Sequence, residues 1–476
     1  MSTIVEVPDS CKDLVSTLQI FLSFLDRLAS EGCGDLPLVY ADVEHALAVG
    51  AAQLQLDSHR VVLQSMARHE PRLSIQGVAH RVLITSEAAY HTLAGPVVIK
   101  RSLYRPLGKS QGSIDPVAAR IGAVRGTWCP ATAAAMAFLV QQGTVREAEA
   151  TAQQLRVLPY SDSSFHRVSE AVGVLYQQNR EVVEEQLIAA YEVPARATGI
   201  SVSLDRTAMP FEEPRRRPRG RPKKEAAKRP VNRVWHMAYC ATVSLHDADG
   251  KTVHTIRYGR MPDGDTASLV DALFSDVRCL RQRRPDLQVI VLCDGAAELW
   301  KLLGTEFTEA ALDGALRHLV DLWHVLEKVG KALRARYDEA RTSRELQRWK
   351  LRLLNSSQAA SALQAELEAL LTFAEPRTGK DKDAVDEAVT YLRNQGKAGR
   401  LDYAAARRAG QPVGSGPAEA TCKSAVGVRF KRAGSRWKVP TAAAVLDLRM
   451  LNLSNRWNLA MQLLLGQRGA DVRRAA

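Results

Sequence analysis

Three acidic residues sit where the chain turns from one regular element into the next. Leu287 to Cys293 is a short apolar run that ends abruptly at Asp294-Gly295, and the helix formers Ala296-Ala297-Glu298-Leu299-Trp300 follow. A buried strand that stops at an acid and a glycine and then opens a helix places that carboxylate at the C-terminal edge of a sheet, where α/β proteins put their chemistry. Asp is also a favoured helix cap, so Asp294 alone serves equally well as a capping residue. Thr198 to Asp205 repeats the pattern: Ile200, Val202 and Leu204 alternate with Ser201 and Ser203, and the run closes on Asp205, which taken singly reads as a turn residue. Glu419 is the third acid. It falls in the first turn of a helix announced by Gly414-Ser415-Gly416-Pro417, where the helix dipole favours negative charge.

If the strands belong to one sheet, the first and fourth can lie side by side with the late helix packed across them, and Asp205, Asp294 and Glu419 converge. Such a cluster is unfavourable when empty, because like charges raise one another's pKa. Two Mg²⁺ ions, with Mn²⁺ as a substitute, would resolve it. These hard cations take carboxylate oxygen and keep waters and phosphate oxygens as their remaining ligands. A metal pair roughly 4 Å apart activates a water or a 3′-hydroxyl and stabilises the leaving oxygen of a phosphodiester. Glu298, one turn beyond Asp294, is a rival ligand, although it reads more simply as a helix-surface acid.

The elements that must position these acids follow from hydrophobic periodicity. Trp235 to Leu245 and Val253 to Gly259 read as antiparallel strands joined at His246-Asp247-Ala248-Asp249-Gly250, a turn of Asp-Gly type. Thr266 to Leu280 is an amphipathic helix, and Leu316 to Leu322 is a further apolar run ending at Trp323-His324. The order is three strands, helix, strand, helix, strand. The first three form an antiparallel meander, and the later ones, joined by helical crossovers, are parallel. Val325 to Gln395 is helical and heavily charged, too long for a crossover, and reads as an inserted helical domain.

Upstream, Leu14, Leu18, Phe21, Leu22, Leu25 and Leu28 recur at helical spacing, and a second helix runs from Val39 towards Met66. Arg81 to Thr85 and Gly95 to Tyr104 look like strands, the second alternating apolar and basic residues. Ala131 to Gln142, Val145 to Leu155 and Ser163 to Tyr176 are helices. Their spacing is that of a helix-turn-helix, and equally that of generic three-helix packing. The segmentation expected is therefore N-terminal helices over 1–80, a small strand-containing piece over 81–130, a helical domain that is a candidate DNA-binding helix-turn-helix over 131–192, a first part of an α/β core over 195–325, the helical insertion over 326–412, and the last core helix with basic C-terminal helices over 413–476.

The chain of 476 residues carries a net charge of +13, which points to a polyanionic partner, nucleic acid before an acidic membrane surface. No apolar run is long enough to cross a membrane, and the start MSTIVEVPDS lacks the positive segment of a secretion signal. The seven cysteines are scattered, with no CxxC pair, so neither a zinc site nor a disulfide framework is expected and a reduced cytoplasmic setting is. The basic excess is concentrated. Residues 211–235 hold ten Lys or Arg, three Glu and four Pro, and so read as a flexible arm. Within it Arg215, Arg216, Arg217, Arg219, Arg221, Lys223 and Lys224 are candidate DNA contacts, and Arg219-Gly220-Arg221-Pro222 resembles the core of an AT-hook. Lys423, Arg429, Lys431, Arg432, Arg436 and Trp437 form a second candidate surface, basic with aromatics interleaved.

Taken together, SVSLDRTAMP around Asp205, VLCDGAAELW around Asp294, DLWHV with Asp321 and His324, GSGPAEATCK around Glu419 and the following VRFKRAGSRW resemble the motifs of DDE-type bacterial insertion-sequence transposases of the ISKra group, allied to the Mutator-like branch. The order of elements is similar to their RNase H-like catalytic core, an α/β mixed sheet interrupted by an all-helical insertion. The resemblance covers residues 195 to 440 well and the N-terminal third more loosely. It implies an enzyme that cleaves double-stranded DNA at transposon ends with two metal ions and joins the 3′-hydroxyl to target DNA, working in the bacterial cytoplasm as a homo-oligomer assembled on those ends. Carried over, Asp205, Asp294 and Glu419 would be the metal-binding triad. Asp321 and His324 match a DxxH pattern and would act near the scissile phosphate. Two departures stand out. Where relatives carry a cysteine-rich knuckle this chain reads RPLGKSQGSID, so no zinc knuckle is expected, and the 211–235 arm is unusually long and basic. A DNA-binding derivative that no longer cuts, and a nuclease of the same core without strand transfer, are the alternative readings.

Overall fold

The computed structural model describes residues 6–32, 39–109, 112–214, 231–261, 266–373 and 379–475; Arg215, Arg216, Arg217, Arg219, Arg221, Lys223 and Lys224 of the expected arm lie outside them. The chain is mixed α/β and divides into two units, Met1–Asn179 with Asn458–Ala476, and Arg180–Trp457.

In the first unit, the apolar stripes of the N-terminus form α1 (Val15–Gly32) and α2 (Tyr40–Met66). Strand β1 (Arg72–Ile75) turns into β2 (Val78–Thr92) through Gln76-Gly77, both at positive φ (49° and 78°), the two-residue turn whose twist matches paired strands. Strand β3 (Gly95–Pro106) pairs antiparallel with β2, and the C-terminal strand Val472–Arg474 pairs antiparallel with β1. The apolar/basic alternation of β3 changes face along its length. Val97 and Ile99 pack with Leu63 of α2, whereas Tyr104 is buried on the other face with Leu73 and Ile75. Arg101 is drawn into an ion pair with Asp115 at 2.9 Å, and Asp115 caps α3 (Pro116–Arg120) by accepting from the Val117 and Ala118 amides. Helices α4 (Pro130–Gln142), α5 (Val145–Gln154) and α6 (Asp162–Gln178) pack on one another as the three helices expected, α5 opening on a Thr144/Glu147 capping box.

The second unit begins with α7 (Arg180–Ala189) and the antiparallel strands β4 (Gly199–Pro214), β5 (Val231–His246) and β6 (Thr252–Arg260). Helix α8 (Thr266–Arg283) leads to β7 (Gln288–Cys293), parallel to β4, and α9 (Ala297–Leu303) leads towards β8 (Leu316–Val320), parallel to β7. The sheet order is β6-β5-β4-β7-β8. One feature differs from the sequence pattern. Strand β4 does not stop at Asp205: it runs on to Pro214, which pairs with Val231, so both flanks of the expected arm are strand. On the other side of β4 from Ile200 and Val202, Ser201 and Ser203 are buried with Thr242 and Ser244.

The helical insertion is α10 (Leu322–Arg334), α11 (Glu339–Asn355), α12 (Ala359–Phe373) and α13 (Gly379–Lys397). After α14 (Tyr403–Arg408), α15 (Gly416–Thr421) continues through a π-helical turn, Cys422–Gly427, into the short α16 (Val428–Phe430). Helix α17 (Val439–Leu453) closes the unit. It covers β6 so closely that a Cβ on Gly259 would lie 2.6–2.9 Å from Met450 and Leu446.

A buried charge network ties α7, α8, β6 and α17 together. Arg260 reaches Glu184 (3.1 Å) and Asp447 (3.5 Å), Arg180 reaches Asp447 (2.9 Å), and Arg456 reaches Asp276 (3.6 Å). The Tyr258 hydroxyl donates to Asp276 at 2.6 Å. Burial pushes the Asp276 carboxyl up to about 6 from an ordinary 3.8, against the opposing pull of Arg456. A carboxyl raised in the folded state contributes stability that is complete below the unfolded pKa and lost as pH rises through the folded one. Relative to Asp276→Asn, the wild-type chain is therefore expected to lose about 3 kcal/mol of unfolding free energy between about pH 4 and pH 6, measured by urea denaturation across that range.

Candidate active site

The parallel register of β4 and β7 sets Leu204 opposite Cys293. The next residue on each chain is an acid, so Asp205 and Asp294 stand side by side at the edge where the parallel pairing ends, both half-buried. Asp205 Oδ1 accepts from the Arg206 amide at 2.7 Å. Asp294 Oδ1 accepts from the Ala296 amide at 2.9 Å, and its carbonyl accepts from the Trp300 indole at 2.7 Å. Asp294 thus shapes the strand-to-helix turn through the Ala296 amide rather than as the cap of α9, whose N-cap is Ala296 itself. The Cys293 thiol between them is pushed up, first by burial and then by the two carboxylates.

Gly295 leaves the space that α13 needs. A Cβ there would lie 2.1 Å from the Tyr391 ring, and Gln395 donates to the Gly295 carbonyl at 3.3 Å. The helical insertion thereby holds the Asp294 turn from outside. The Tyr391 hydroxyl is pushed up by burial and by the charges of Asp294 and Asp321.

The helix that carries Glu419 docks on the Asp205 face of the sheet. Helix α15 packs against β4 and β5. Cys422, one turn after Glu419, touches Cys240, the cross-strand partner of Asp205. Hydrogen bonding to Cys240 pushes the Cys422 thiol up, with burial and the neighbouring Asp205 carboxylate adding to it. Glu419 itself is exposed and pairs with Lys423 at 2.7 Å. Among the described residues no three His, Cys, Asp or Glu side chains converge closely enough to hold a metal ion. The structure brings two of the three acids together and leaves the third on the rim.

Asp321 and His324 separate in role. Asp321 is buried and caps α10 by accepting from the Trp323 amide at 2.7 Å. Its other oxygen accepts from the amide and the hydroxyl of Ser415, both at 2.6 Å. Its own amide donates to the Cys293 carbonyl at 2.8 Å, and the Leu322 amide donates to Val413 at 3.0 Å. Asp321 therefore clips the loop before α15 to the end of β7. His324 is exposed, with Nδ1 3.9 Å from Glu327. Glu298 is held by the Arg206 guanidinium and the Tyr239 hydroxyl, and burial, followed by this bond, pushes the Tyr239 hydroxyl up.

In the basic segment, Lys431 and Arg432 are exposed, and Lys431 donates to Thr207 at 2.5 Å. Arg436 pairs with Glu212 at 3.2 Å. Arg429 and Trp437 point inward instead: both are buried, with the guanidinium 4.7 Å from the indole ring. The Trp437 carbonyl accepts from the Glu212 amide at 2.9 Å, fastening this segment to the extended end of β4. Sequence reasoning missed Cys240, Cys422, Tyr391 and Tyr239. The only signal for any of them was Gly295, since a glycine after a strand-end acid marks close approach of another group.

No family model and no curated protein matches the chain. Among solved structures it is similar to a Drosophila P element transposase strand transfer complex, with 12% identity over 74% of this chain and 85% of that chain and a TM-score of 0.26.

Two outcomes test this geometry. Gly295→Ala is expected to destabilise by about 1–3 kcal/mol through overpacking, and by less in a Tyr391→Ala background, read from a double-mutant cycle of urea unfolding. Asp321→Ala is expected to cost about 2–4 kcal/mol, because it strips a charged acceptor from buried donors, and to open a new cleavage site within residues 410–417 in limited proteolysis; Asp321→Asn should lose less.

Proposed function

We propose that the second unit is the RNase H-like phosphodiester-cleaving core of a DDE-type DNA transposase, one that cuts double-stranded DNA at element ends and transfers the 3′-hydroxyl to target DNA. The observation that carries this reading is the sheet: three antiparallel strands followed by two parallel ones, in the order β6-β5-β4-β7-β8, with Asp205 on the central strand and Asp294 adjoining it one residue beyond the shared register. That is the arrangement implied by the resemblance of the SVSLD, VLCDG, DLWH and GSGPAE motifs to ISKra-group transposases.

The donor set at this edge suits a hard cation in part. Asp205 and Asp294 present adjacent carboxylates, each with one oxygen engaged by a backbone amide, and these two would hold Mg²⁺ or Mn²⁺. Glu419, paired with Lys423, does not join them in this structure, and no step is assigned to it. A cation there would supply Lewis-acid stabilisation of phosphate charge and an activated oxygen nucleophile. The chain's own contribution is positional. Asp321 fixes the loop that presents α15, and the insertion steadies the Asp294 turn. Lys431 and Arg432 offer surface cations for the DNA backbone near β4. His324, exposed one turn into α10, is free to reach a phosphate.

The test is a cleavage and strand-transfer assay on DNA bearing the element's own ends, with Mg²⁺ or Mn²⁺, comparing wild type with Asp205→Ala, Asp294→Ala and Glu419→Ala. Metal-dependent nicking and joining that fall to background in Asp205→Ala and Asp294→Ala, while DNA binding persists, is the expected result; Glu419→Ala tests whether the third acid joins the pair when DNA is bound. Cutting without joining would make the chain a nuclease. Binding without cutting, under either metal, would make it an idle derivative. Variants that cut like wild type would remove the acids from the site.

A further inference from the structure

Arg72 of β1, Arg81 of β2 and Arg105 of β3 form one row across the sheet of the first unit. Arg72 pairs directly with Arg81, and Arg81 with Arg105, so all three project from the same face. Strands lie about 4.8 Å apart, which makes the row about 10 Å long. Arg72 and Arg81 are exposed and Arg105 is half-buried, its Nε donating to the Gly112 carbonyl. The opposite face at this end carries the buried cluster of Leu73, Ile75 and Tyr104, so the arginine row looks outward.

Like charges placed directly opposite one another destabilise a sheet, and here two such pairs are adjacent. None of the three arginines has a carboxylate partner among the described residues. The contrast with Arg101, further along the same face of β3, is direct: there the fold supplies Asp115 at 2.9 Å and a bond to the Ser86 hydroxyl. Where an arginine is structural, the sheet neutralises it; in the row it does not. On the next row, Arg473 of the C-terminal strand lies opposite Ser74 and pairs with Asp471 at 2.7 Å.

We propose that this row is a phosphate-contacting surface for the backbone of duplex DNA, distinct from the acidic edge of the second unit. Guanidinium groups bind phosphate oxygens in a bidentate manner and keep their charge at any working pH, and a net charge of +13 already favours a polyanion. Nothing in the row reads a base; its contribution is sequence-independent affinity.

The experiment measures binding of the full chain to a fluorescein-labelled random-sequence duplex by fluorescence anisotropy over a salt series. Wild type is compared with the combined Arg72→Gln, Arg81→Gln and Arg105→Gln protein, and with Lys100→Gln, an exposed residue on the other face of β3. The triple variant is expected to bind more weakly and to lose about 2–3 from the slope of log affinity against log salt, near 0.9 for each phosphate contact removed. Its thermal midpoint should be unchanged or higher, since repulsion has been relieved, and Lys100→Gln should keep the wild-type slope. Unchanged affinity and slope in the triple variant would overturn the assignment. So would a lowered thermal midpoint, which would make the row structural. Phosphatidylserine vesicles captured by wild type but not by the triple variant, with DNA affinity unaltered, would overturn it in favour of a membrane surface.

Discussion

The second unit depends on one register. Parallel pairing of β4 with β7 sets Leu204 against Cys293, and every consequence at the sheet edge follows from it. A slip of one residue would send Ile200, Val202 and Leu204 out of the apolar cluster they share with α8 and would turn the acids away from each other. The register is held on both sides. The sheet neighbours of β4 and β7 extend it to five strands, and burial on both faces leaves no alternative with fewer exposed apolar groups.

Around that edge the chain spends its long-range contacts on supporting loops. Asp321, at the end of β8, donates its amide to Cys293 and accepts from Ser415 with its carboxylate, so one residue links the end of β7 to the loop before α15. Tyr391 and Gln395, on the last helix of the insertion, close over Gly295. The insertion is therefore part of what makes the site rigid. Turns on their own are the mobile parts of a fold, and a carboxylate on an unsupported turn would be poorly placed for any ligand.

Much of this was legible in the sequence. The strand–strand–strand–helix–strand–helix–strand order and the strand-end position of Asp294 are local properties, set by apolar runs and breakers. Asp205 was found for a reason that proved incomplete. The segment after it, Arg206 to Pro214, holds two prolines and two glutamates, yet it is strand because β5 pairs with it along its whole length. Pairing of that kind overrides propensity and is invisible to a local pattern. The burial of Ser201 and Ser203 has its cause far along the chain: α15 and α17, which pack on β4, β5 and β6, come much later. Cys422 gave no sign because its partner Cys240 lies on another element. The inward turn of Arg429 and Trp437 was hidden too, since a basic–aromatic composition does not reveal which side chains face the fold.

The distribution of charge around Asp205 and Asp294 bears on what the edge is for. Two adjacent carboxylates repel, and the simplest relief would be a guanidinium or ammonium group between them. Two cations close to Asp205 and Glu419 in the sequence are engaged elsewhere. Arg206, the residue after Asp205, turns its guanidinium to Glu298, which the Tyr239 hydroxyl also holds. Lys423, on the helix that covers this face, pairs with Glu419. Glu298 then has a role other than that of a rival ligand: it pairs with Arg206 and Tyr239. The carboxylates receive backbone amides from Arg206 and Ala296 instead, bonds that steady one oxygen of each acid without supplying a full positive charge. Successive residues of a strand point to opposite faces, so Arg206, beside Tyr239, lies on the other side of the sheet from Asp205. The sheet edge therefore presents two neighbouring carboxylates, each with one oxygen held by a backbone amide, while the cations of Arg206 and Lys423 are paired with Glu298 and Glu419.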